Sequence, residues 1–194
     1  MNTLALLGAV TGVALFAGIR LYATVLTVGL CIRYGLLTLP PELSTLSALS
    51  QPYVLVAAGI CAAAEFLADK IPWVDSLWDA VHAFVRPAGA ALIAFAAAGA
   101  LDPAAKGPVV LLCGAVAFAS HAAKSGTRLA VNQSPEPFSN VLLSLFEDAV
   151  AVGGSYSAVA HPVIVLVFVA AFLVLSLLLA RRIFRRIRRK TPPA

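Results

Sequence analysis

Apolar runs of roughly 17 to 20 residues follow one another along this chain of 194 residues, and they limit its fold more than any other feature. A helix of about 20 residues crosses the roughly 30 Å hydrocarbon core of a bilayer. Only 12% of the residues are charged and 61% are hydrophobic, whereas about a quarter of a soluble domain is charged. The runs therefore predict an all-α fold, a polytopic transmembrane helical bundle.

The runs predict six or seven apolar segments with broken helices. Residues 3–39 are too long for one crossing, because a straight helix of that length would extend about 55 Å. A Gly-Ile-Arg break at 18–20 predicts helices at 3–18 and 21–38. These two helices form either two tight crossings or a re-entrant hairpin. The other predicted segments are 52–70, 87–101, 107–126, 138–155 and 163–180.

Residues 73–86 predict one interfacial amphipathic helix, which ends before Pro87. Its two tryptophans suit the boundary between membrane and water. Asp75, Asp79 and His82 are spaced i, i+4, i+7 and share one helical face. These three residues are weak candidates for a metal site, since an exposed polar helix face produces the same pattern. We assign neither a metal nor a cofactor.

The C-terminal tail, residues 181–194, holds seven of the fourteen Lys and Arg residues. Basic residues after the last apolar segment predict a cytoplasmic tail, and hence a multi-pass protein of the cell (inner) membrane. Anionic lipid headgroups are the expected partners of this tail, and nucleic acid is not. Residues 1–180 then form a single transmembrane domain. The oligomeric state stays open, with a homo-oligomer as one option.

Two short motifs echo each other along the chain. An apolar helix ends at Gly18-Ile-Arg20-Leu, and another ends at Gly126-Thr-Arg128-Leu. A second apolar helix follows each motif. Many small transporters are built from such repeats, with broken helices at the repeat interface. An internal repeat with halves at 3–70 and 107–180 is one interpretation. Coincidence is the other, because Gly, Ala and Leu dominate the composition.

Residues 121–148 form a polar island between two apolar runs. A Pro-Glu-Pro block at 135–137 stops any helix there. Irregular backbone at membrane depth persists only when it is buried in protein or faces water. An anion could be held at this break by basic side chains and by the first N–H groups of the following helix. The predicted substrate-binding residues are Arg20, Lys124, Arg128, Asn132, Glu136 and Asn140.

Four carboxylates within or beside apolar runs are the predicted proton-coupling residues: Glu65, Asp69, Glu147 and Asp148. A charge at the centre of a membrane helix costs about 2.5 kcal/mol or more, so such charges usually pair or line a cavity. We therefore predict a polar cavity in which Arg20 and Arg128 oppose Glu65 and Glu147.

The alternative is that charged residues lie at helix ends and extend into headgroup water. We favour this alternative for Lys70, Arg86 and Lys124, and the cavity for Arg20, Glu65 and Glu147.

Several strings in the chain resemble a known family. They are Gly18-x-Arg20-x-Tyr22, Glu65-Phe-Leu-Ala-Asp69-Lys70-Ile-Pro72-x-x-Asp75, Arg86-Pro87, and Asn132-x-Ser134-Pro135-Glu136-Pro137-Phe-Ser139-Asn140 with Glu147-Asp148. The family is an uncharacterised prokaryotic membrane family, domain of unknown function 4126. The resemblance extends to about residue 180. It implies a membrane fold, and it implies no activity.

Three functions are compatible with these features, and we favour a non-enzymatic one. The first is a transporter or flippase-like carrier of an anionic solute or lipid headgroup, with proton coupling as an option. The second is a membrane enzyme acting on a lipid-linked substrate at the cytoplasmic face. The third is a membrane scaffold or assembly factor. The enzyme would draw its acid–base or metal chemistry from Asp75, Asp79, His82, His121 and Glu136.

Overall fold

The computed structural model of the protein describes residues 1–131 and 137–190. Within these ranges the chain is helical and contains no strand, which confirms the all-α prediction. The helices are α1 (Thr3–Ile19), α2 (Leu21–Arg33), a 3-10 segment (Pro41–Ser50), α3 (Pro52–Ala68), α4 (Pro72–Ala97), a second 3-10 segment (Ala98–Ala100), α5 (Pro103–Val131), α6 (Pro137–Ala160) and α7 (Pro162–Lys190).

Three of the described helices are long and apolar enough to cross a membrane: Trp73–Ala97, Pro103–Leu129 and Pro162–Arg182. A fourth crossing results if Pro41–Ser50 and Pro52–Ala68, which meet at 67°, count as one bent span. Helices α1 and α2 are apolar but shorter, with 17 and 13 residues. The described helices support a multi-pass membrane protein. The predicted six or seven segments exceed the three or four described spans that are long and apolar enough to cross a membrane.

Prolines mark where most helices begin. A proline at the first helical position has no N–H that needs a partner, and its fixed φ suits the helix. Six helices after α2 start at one: Pro41, Pro52, Pro72, Pro103, Pro137 and Pro162.

Pro87 is an exception to this pattern, because α4 continues through it. The predicted interfacial helix at 73–86 and the predicted span at 87–101 are therefore wrong as separate elements. The residues that we expected on an exposed polar face are buried instead: Asp75, Asp79, His82 and Arg86. A proline inside a helix removes one backbone hydrogen bond, and membrane helices tolerate this loss when neighbouring groups compensate.

The predicted break at Arg20 is present. Arg20 separates α1 from α2 with φ −146° and ψ 89°, and its N–H still donates to the Phe16 carbonyl at 2.8 Å. Helix α2 ends at Arg33, earlier than the predicted residue 38. The break places the Arg20 side chain inside the bundle, where it is 1% exposed.

Helix α1 is the central helix of the bundle and packs against α4, α5, α6 and α7. Small residues allow this close packing. A Cβ at Gly18 would lie 1.8 Å from Ser120 Oγ and 2.3 Å from the Ala117 carbonyl oxygen on α5. A Cβ at Gly12 would lie 2.5 Å from Val165 Cγ1 on α7. This contact with α5 fixes the end of α1, and with it the position of Arg20.

Candidate functional site

One face of α4 carries a row of buried polar side chains, spaced by four, three and four residues so that they align on the helix: Asp75, Asp79, His82 and Arg86. Arg86 lies fourteen residues after Pro72, where α4 begins, or about 21 Å along the helix axis. The polar row therefore extends from the start of a candidate span to its middle.

Helix α5 presents a matching row to α4: His121, Lys124 and Arg128, all buried. Arg86 Nη1 lies 2.6 Å from His121 Nδ1, and Ser125 Oγ donates to Asp79 Oδ2 at 2.7 Å. The polar row on α5 is thus matched by a second polar face on α4. Sequence reasoning missed this partnership because it placed the α4 row at the membrane surface.

Arg86 holds two carboxylates. It donates to Glu65 Oε1 at 2.6 Å and to Asp79 Oδ1 at 3.2 Å. The sequence prediction opposed Glu65 to Arg20 and Arg128, and the structure pairs it with Arg86. The prediction that Arg86 extends into headgroup water is wrong, because its side chain is fully buried. The cause is the continuity of α4, which places Arg86 inside a helix rather than at its end.

Arg128 holds a second pair of carboxylates. Its Nε and Nη2 donate to Glu147 Oε1 at 3.1 Å and Oε2 at 2.6 Å, and Nη2 also contacts Asp69 Oδ2 at 3.1 Å. Arg20 forms an ion pair with Asp69 and lies 3.7 Å from Glu147 Oε2. The structure therefore brings together the two arginines of the echoed Gly-x-Arg-Leu motifs, while the repeat halves themselves stay a prediction.

Asp148 and Lys70 lie at the edge of this group. Arg20 Nε is 3.0 Å from Asp148 Oδ1, and the Asp148 side chain is 27% exposed. Lys70 donates to Ser144 Oγ at 2.7 Å, and Arg20 donates to the same oxygen at 3.0 Å. Lys70 is only partly buried, and burial lowers the pKa of its ammonium, an effect that the nearby Asp148 carboxylate opposes. Lys70 therefore joins the site rather than only reaching headgroup water.

Asn140, at the start of α6, is part of the site. Its Oδ1 accepts from Arg128 Nη1 at 2.9 Å, and its Nδ2 donates to the Asp69 carbonyl at 3.3 Å. The other two polar candidates at the chain break, Asn132 and Glu136, lie outside the described residues.

Lys124 connects the two groups of ion pairs. Its Nζ lies 3.8 Å from Asp79 Oδ1, 3.7 Å from Glu147 Oε2 and 4.0 Å from Asp69 Oδ1. These distances are too long for hydrogen bonds, and within the described residues the Nζ has no hydrogen-bond partner. The prediction that Lys124 extends into headgroup water is wrong, since its side chain is 2% exposed. A buried ammonium without hydrogen bonds is costly, so a hydrogen-bond acceptor beside Lys124 Nζ would stabilise it.

Both histidines are held in one neutral tautomer by their partners. His82 Nδ1 donates to the Trp78 carbonyl at 2.7 Å, and in the neutral ring its Nε2 then accepts from the Tyr22 hydroxyl at 3.2 Å. His121 Nδ1 accepts from Arg86, so its Nε2 carries the hydrogen and faces Ser125 Oγ at 3.4 Å. Among residues 1–131 and 137–190, no group of three His, Cys, Asp or Glu side chains is arranged to hold a metal ion.

We call the buried charged residues of this site the ion-pair network. Its cations are Arg20, Arg86, Lys124 and Arg128, and its carboxylates are Glu65, Asp69, Asp75, Asp79 and Glu147. With five carboxylates and four cations ionised, the network has a net charge of −1. The site is therefore not an open cluster of positive charge.

Two cavities flank α5 on either side of Lys124. The first has a volume of about 340 Å³, and Asp79, His121 and Arg128 are among its lining residues. The second has a volume of about 430 Å³, and Lys124 and Glu147 are among its lining residues. The partners of Lys124 thus face a cavity on each side of the helix.

A family model described as "Domain of unknown function (DUF4126)" matches residues 7–182, which is most of the chain. No curated protein matches the chain, and no solved structure matches it. The arguments for function therefore come from the geometry of the site.

Proposed function

We propose that this chain, which belongs to the DUF4126 family, is a small membrane carrier that moves an anion together with a proton. One observation carries the proposal. The ammonium of Lys124 is buried among three carboxylates and makes no hydrogen bond within the described residues. A charged side chain that lies within the membrane and makes no hydrogen bond is expected to have a functional role.

Lys124 is better suited to bind the anion than the arginines. Arg86 and Arg128 each donate two or more hydrogen bonds to carboxylates, and Arg20 is paired with Asp69 and Asp148. Their charges are already compensated, which argues against the direct anion-binding role that the sequence suggested for Arg20 and Arg128. The three N–H groups of Lys124 are open to an acceptor. The arginines would instead hold the surrounding carboxylates in place.

The charge of the network supplies the reason for coupling. An anion that entered alone would change the net charge from −1 to −2 in a medium of low dielectric, where unbalanced charge is strongly unfavourable. A proton that enters with the anion keeps the charge at −1. The proton would bind Asp79 or Glu147, because neutralising either carboxylate weakens its attraction for Lys124 and frees the ammonium.

The two cavities suggest how the substrate reaches Lys124. Asp79 lines one cavity and Glu147 lines the other, on opposite sides of α5. If Lys124 shifts from Asp79 toward Glu147, or back, the anion bound to it would face the other cavity. Such an exchange of partners is the kind of two-state element that a carrier needs.

Proton uptake into liposomes tests this proposal directly. The purified full-length protein would be reconstituted with an entrapped pH dye, and inorganic phosphate, short-chain carboxylates and an anionic phospholipid would be offered in turn. We expect at least one anion to acidify the lumen. Lys124→Met should abolish the signal, whereas Lys106→Met, which removes a lysine outside the network, should retain it. Folded wild-type protein that acidifies the lumen with none of these anions would contradict the proposal.

A further inference from the structure

A long groove follows one face of α6 and adjoins α1 and α7. It consists of the 430 Å³ cavity beside Lys124 and a neighbouring cavity of about 370 Å³. Phe16, Val150 and Phe168 line both cavities, so the two are adjacent and share these walls. We call the combined space the α6 groove.

The groove is long enough for an acyl chain. Its α6 lining begins at Leu143, one turn before Glu147, includes Gly154 and Ser157, and ends at His161, just after the helix. Fourteen residues separate Glu147 from His161, a distance of about 21 Å along the helix axis. One leaflet occupies about half of the roughly 30 Å hydrocarbon core. The groove therefore exceeds the thickness of one leaflet.

Polarity is distributed unevenly along the groove. Lys124, Glu147 and Thr127 lie at one end, where the groove contacts the ion-pair network. Between this end and Ser157 the walls are mainly apolar, with Leu15, Ile19, Val150 and four phenylalanines: Phe16, Phe146, Phe168 and Phe172. The distribution suits an amphiphile with a charged head at Lys124.

The groove opens sideways to the surroundings of the bundle. Phe146 and Phe168, on α6 and α7, are 65% and 64% exposed. Large apolar side chains exposed in this way fit a lipid environment. A membrane lipid could therefore enter from the bilayer without passing through water.

We propose that the anion carried by this protein is the phosphate headgroup of a membrane phospholipid, whose acyl chain lies in the α6 groove. This inference rests on the proposed carrier function and names its substrate class. The occupant is argued from the charge beside Lys124. A phosphodiester carries one negative charge, the Lys124 ammonium has three N–H groups without acceptors, and the proton that enters with the anion would neutralise Glu147 or Asp79 beside it. A free anion would need Lys124 but would gain nothing from an apolar groove of this length.

Photocrosslinking tests the binding. Full-length protein in nanodiscs would be exposed to phosphatidylglycerol with a photoreactive group in its acyl chain, and the labelled residues would be mapped by mass spectrometry. We expect labelling on α6 and α7 residues of the groove. Diacylglycerol with the same acyl chain lacks the phosphate and should label these residues several-fold less. Equal labelling by both lipids, or labelling only elsewhere, would overturn the inference, and this comparison uses wild-type protein alone.

A matched pair of variants tests transport. Val150→Trp fills the groove where the two cavities join, and Val152→Trp adds the same side chain to an exposed position on the same helix. Transfer of fluorescent phosphatidylglycerol between leaflets should fall at least tenfold in Val150→Trp and stay within twofold in Val152→Trp.

The possible results separate the two proposals. If a small anion moves with a proton, and Val150→Trp leaves this flux unchanged while no lipid moves, the lipid inference is overturned and the carrier function stands. If phosphatidylglycerol labels the groove but nothing moves in liposomes, the lipid site stands and the carrier function is overturned.

Discussion

Arg20 and Arg128 contact the same two oxygen atoms, Asp69 Oδ2 and Glu147 Oε2. One arginine lies at the break between α1 and α2, and the other near the end of α5. The four side chains thus alternate in charge, and neither carboxylate is held by a single cation. Removal of one member leaves its partners charged and buried, which makes this arrangement sensitive to substitution.

Asp69→Asn should destabilise the protein strongly. It removes the carboxylate that both arginines contact and leaves Arg20 mainly to Asp148 and Arg128 mainly to Glu147. Breaking a buried ion pair costs about 3 to 5 kcal/mol. The measurement is thermal or denaturant unfolding in detergent. Asp102→Asn, at an exposed helix start where Asn can still cap, is the control and should change stability by about 0.5 kcal/mol or less. Equal stabilities for the two variants would refute the ion-pair assignment.

The contact between Glu65 and Arg86 should appear as a coupling energy. Glu65→Gln leaves the Arg86 charge, and Arg86→Met leaves the Glu65 charge, in the protein interior, whereas the double variant removes both members of this pair. We expect the double variant to be more stable than the sum of the single effects, with a coupling of about 0.5 to 3 kcal/mol. Additive effects in a double-mutant cycle would show that the two side chains do not interact.

Gly18→Ala should weaken the packing of α1 on α5. The new Cβ would lie 2.3 Å from the Ala117 carbonyl oxygen, so the helices must separate. Overpacking of this kind costs about 1 to 3 kcal/mol. Gly126→Ala is the control, because its Cβ meets nothing within 4 Å and Ala favours the helix by about 0.5 to 1 kcal/mol. Opposite changes in melting temperature are expected, and a stable Gly18→Ala variant would count against this packing.

The hydroxyl of Tyr22 should matter through His82. Tyr22→Phe leaves His82 Nε2 without its donor, and a buried polar group without a partner costs about 1 to 3 kcal/mol. Tyr53→Phe removes a hydroxyl from an exposed residue and should be neutral. Unfolding curves for both variants provide the comparison. A neutral Tyr22→Phe variant would argue that the proton arrangement assigned to His82 is wrong.

The C-terminal tail should face the cytoplasm. Arg181 and Arg182 end the last candidate span, and Arg185 and Arg186 follow it. Basic residues near span ends favour the cytoplasmic side. A green fluorescent protein fused after Ala194 should fluoresce in a bacterial host, while a periplasmic alkaline phosphatase at the same position should be inactive. The reverse pattern would invert the orientation.

The sequence predicted those features that arise from local physics. The all-α class follows from the apolar runs, and the break at Arg20 follows from a glycine and a charge within such a run. The burial of Glu65 and Glu147 was anticipated because apolar residues flank both. Each of these features depends on residues close in the chain.

Features that depend on partners were not predictable in the same way. Arg86 precedes a proline, so local rules end the helix there, whereas packing against α5 and α1 favours a continuous α4. Its pairing with Glu65 joins two helices whose relative rotation no local pattern specifies. The spacing of Asp79, His82 and Arg86 did contain a signal, because the same periodicity that suits an exposed face also suits a buried one.

Pro87 divides α4 into two parts of different character. It has no N–H to donate to the Ala83 carbonyl, so the helix lacks one backbone hydrogen bond beside the first cavity, which Ala83 lines. The five polar residues of α4 (Asp75, Ser76, Asp79, His82 and Arg86) all precede Pro87, and the part that follows it contains only apolar residues and glycine. Sharp bends in helices concentrate at such positions. A bend at Pro87 would rotate the first half of α4 as a rigid unit. This rotation would move Asp79 and Arg86 together, away from Lys124 and His121.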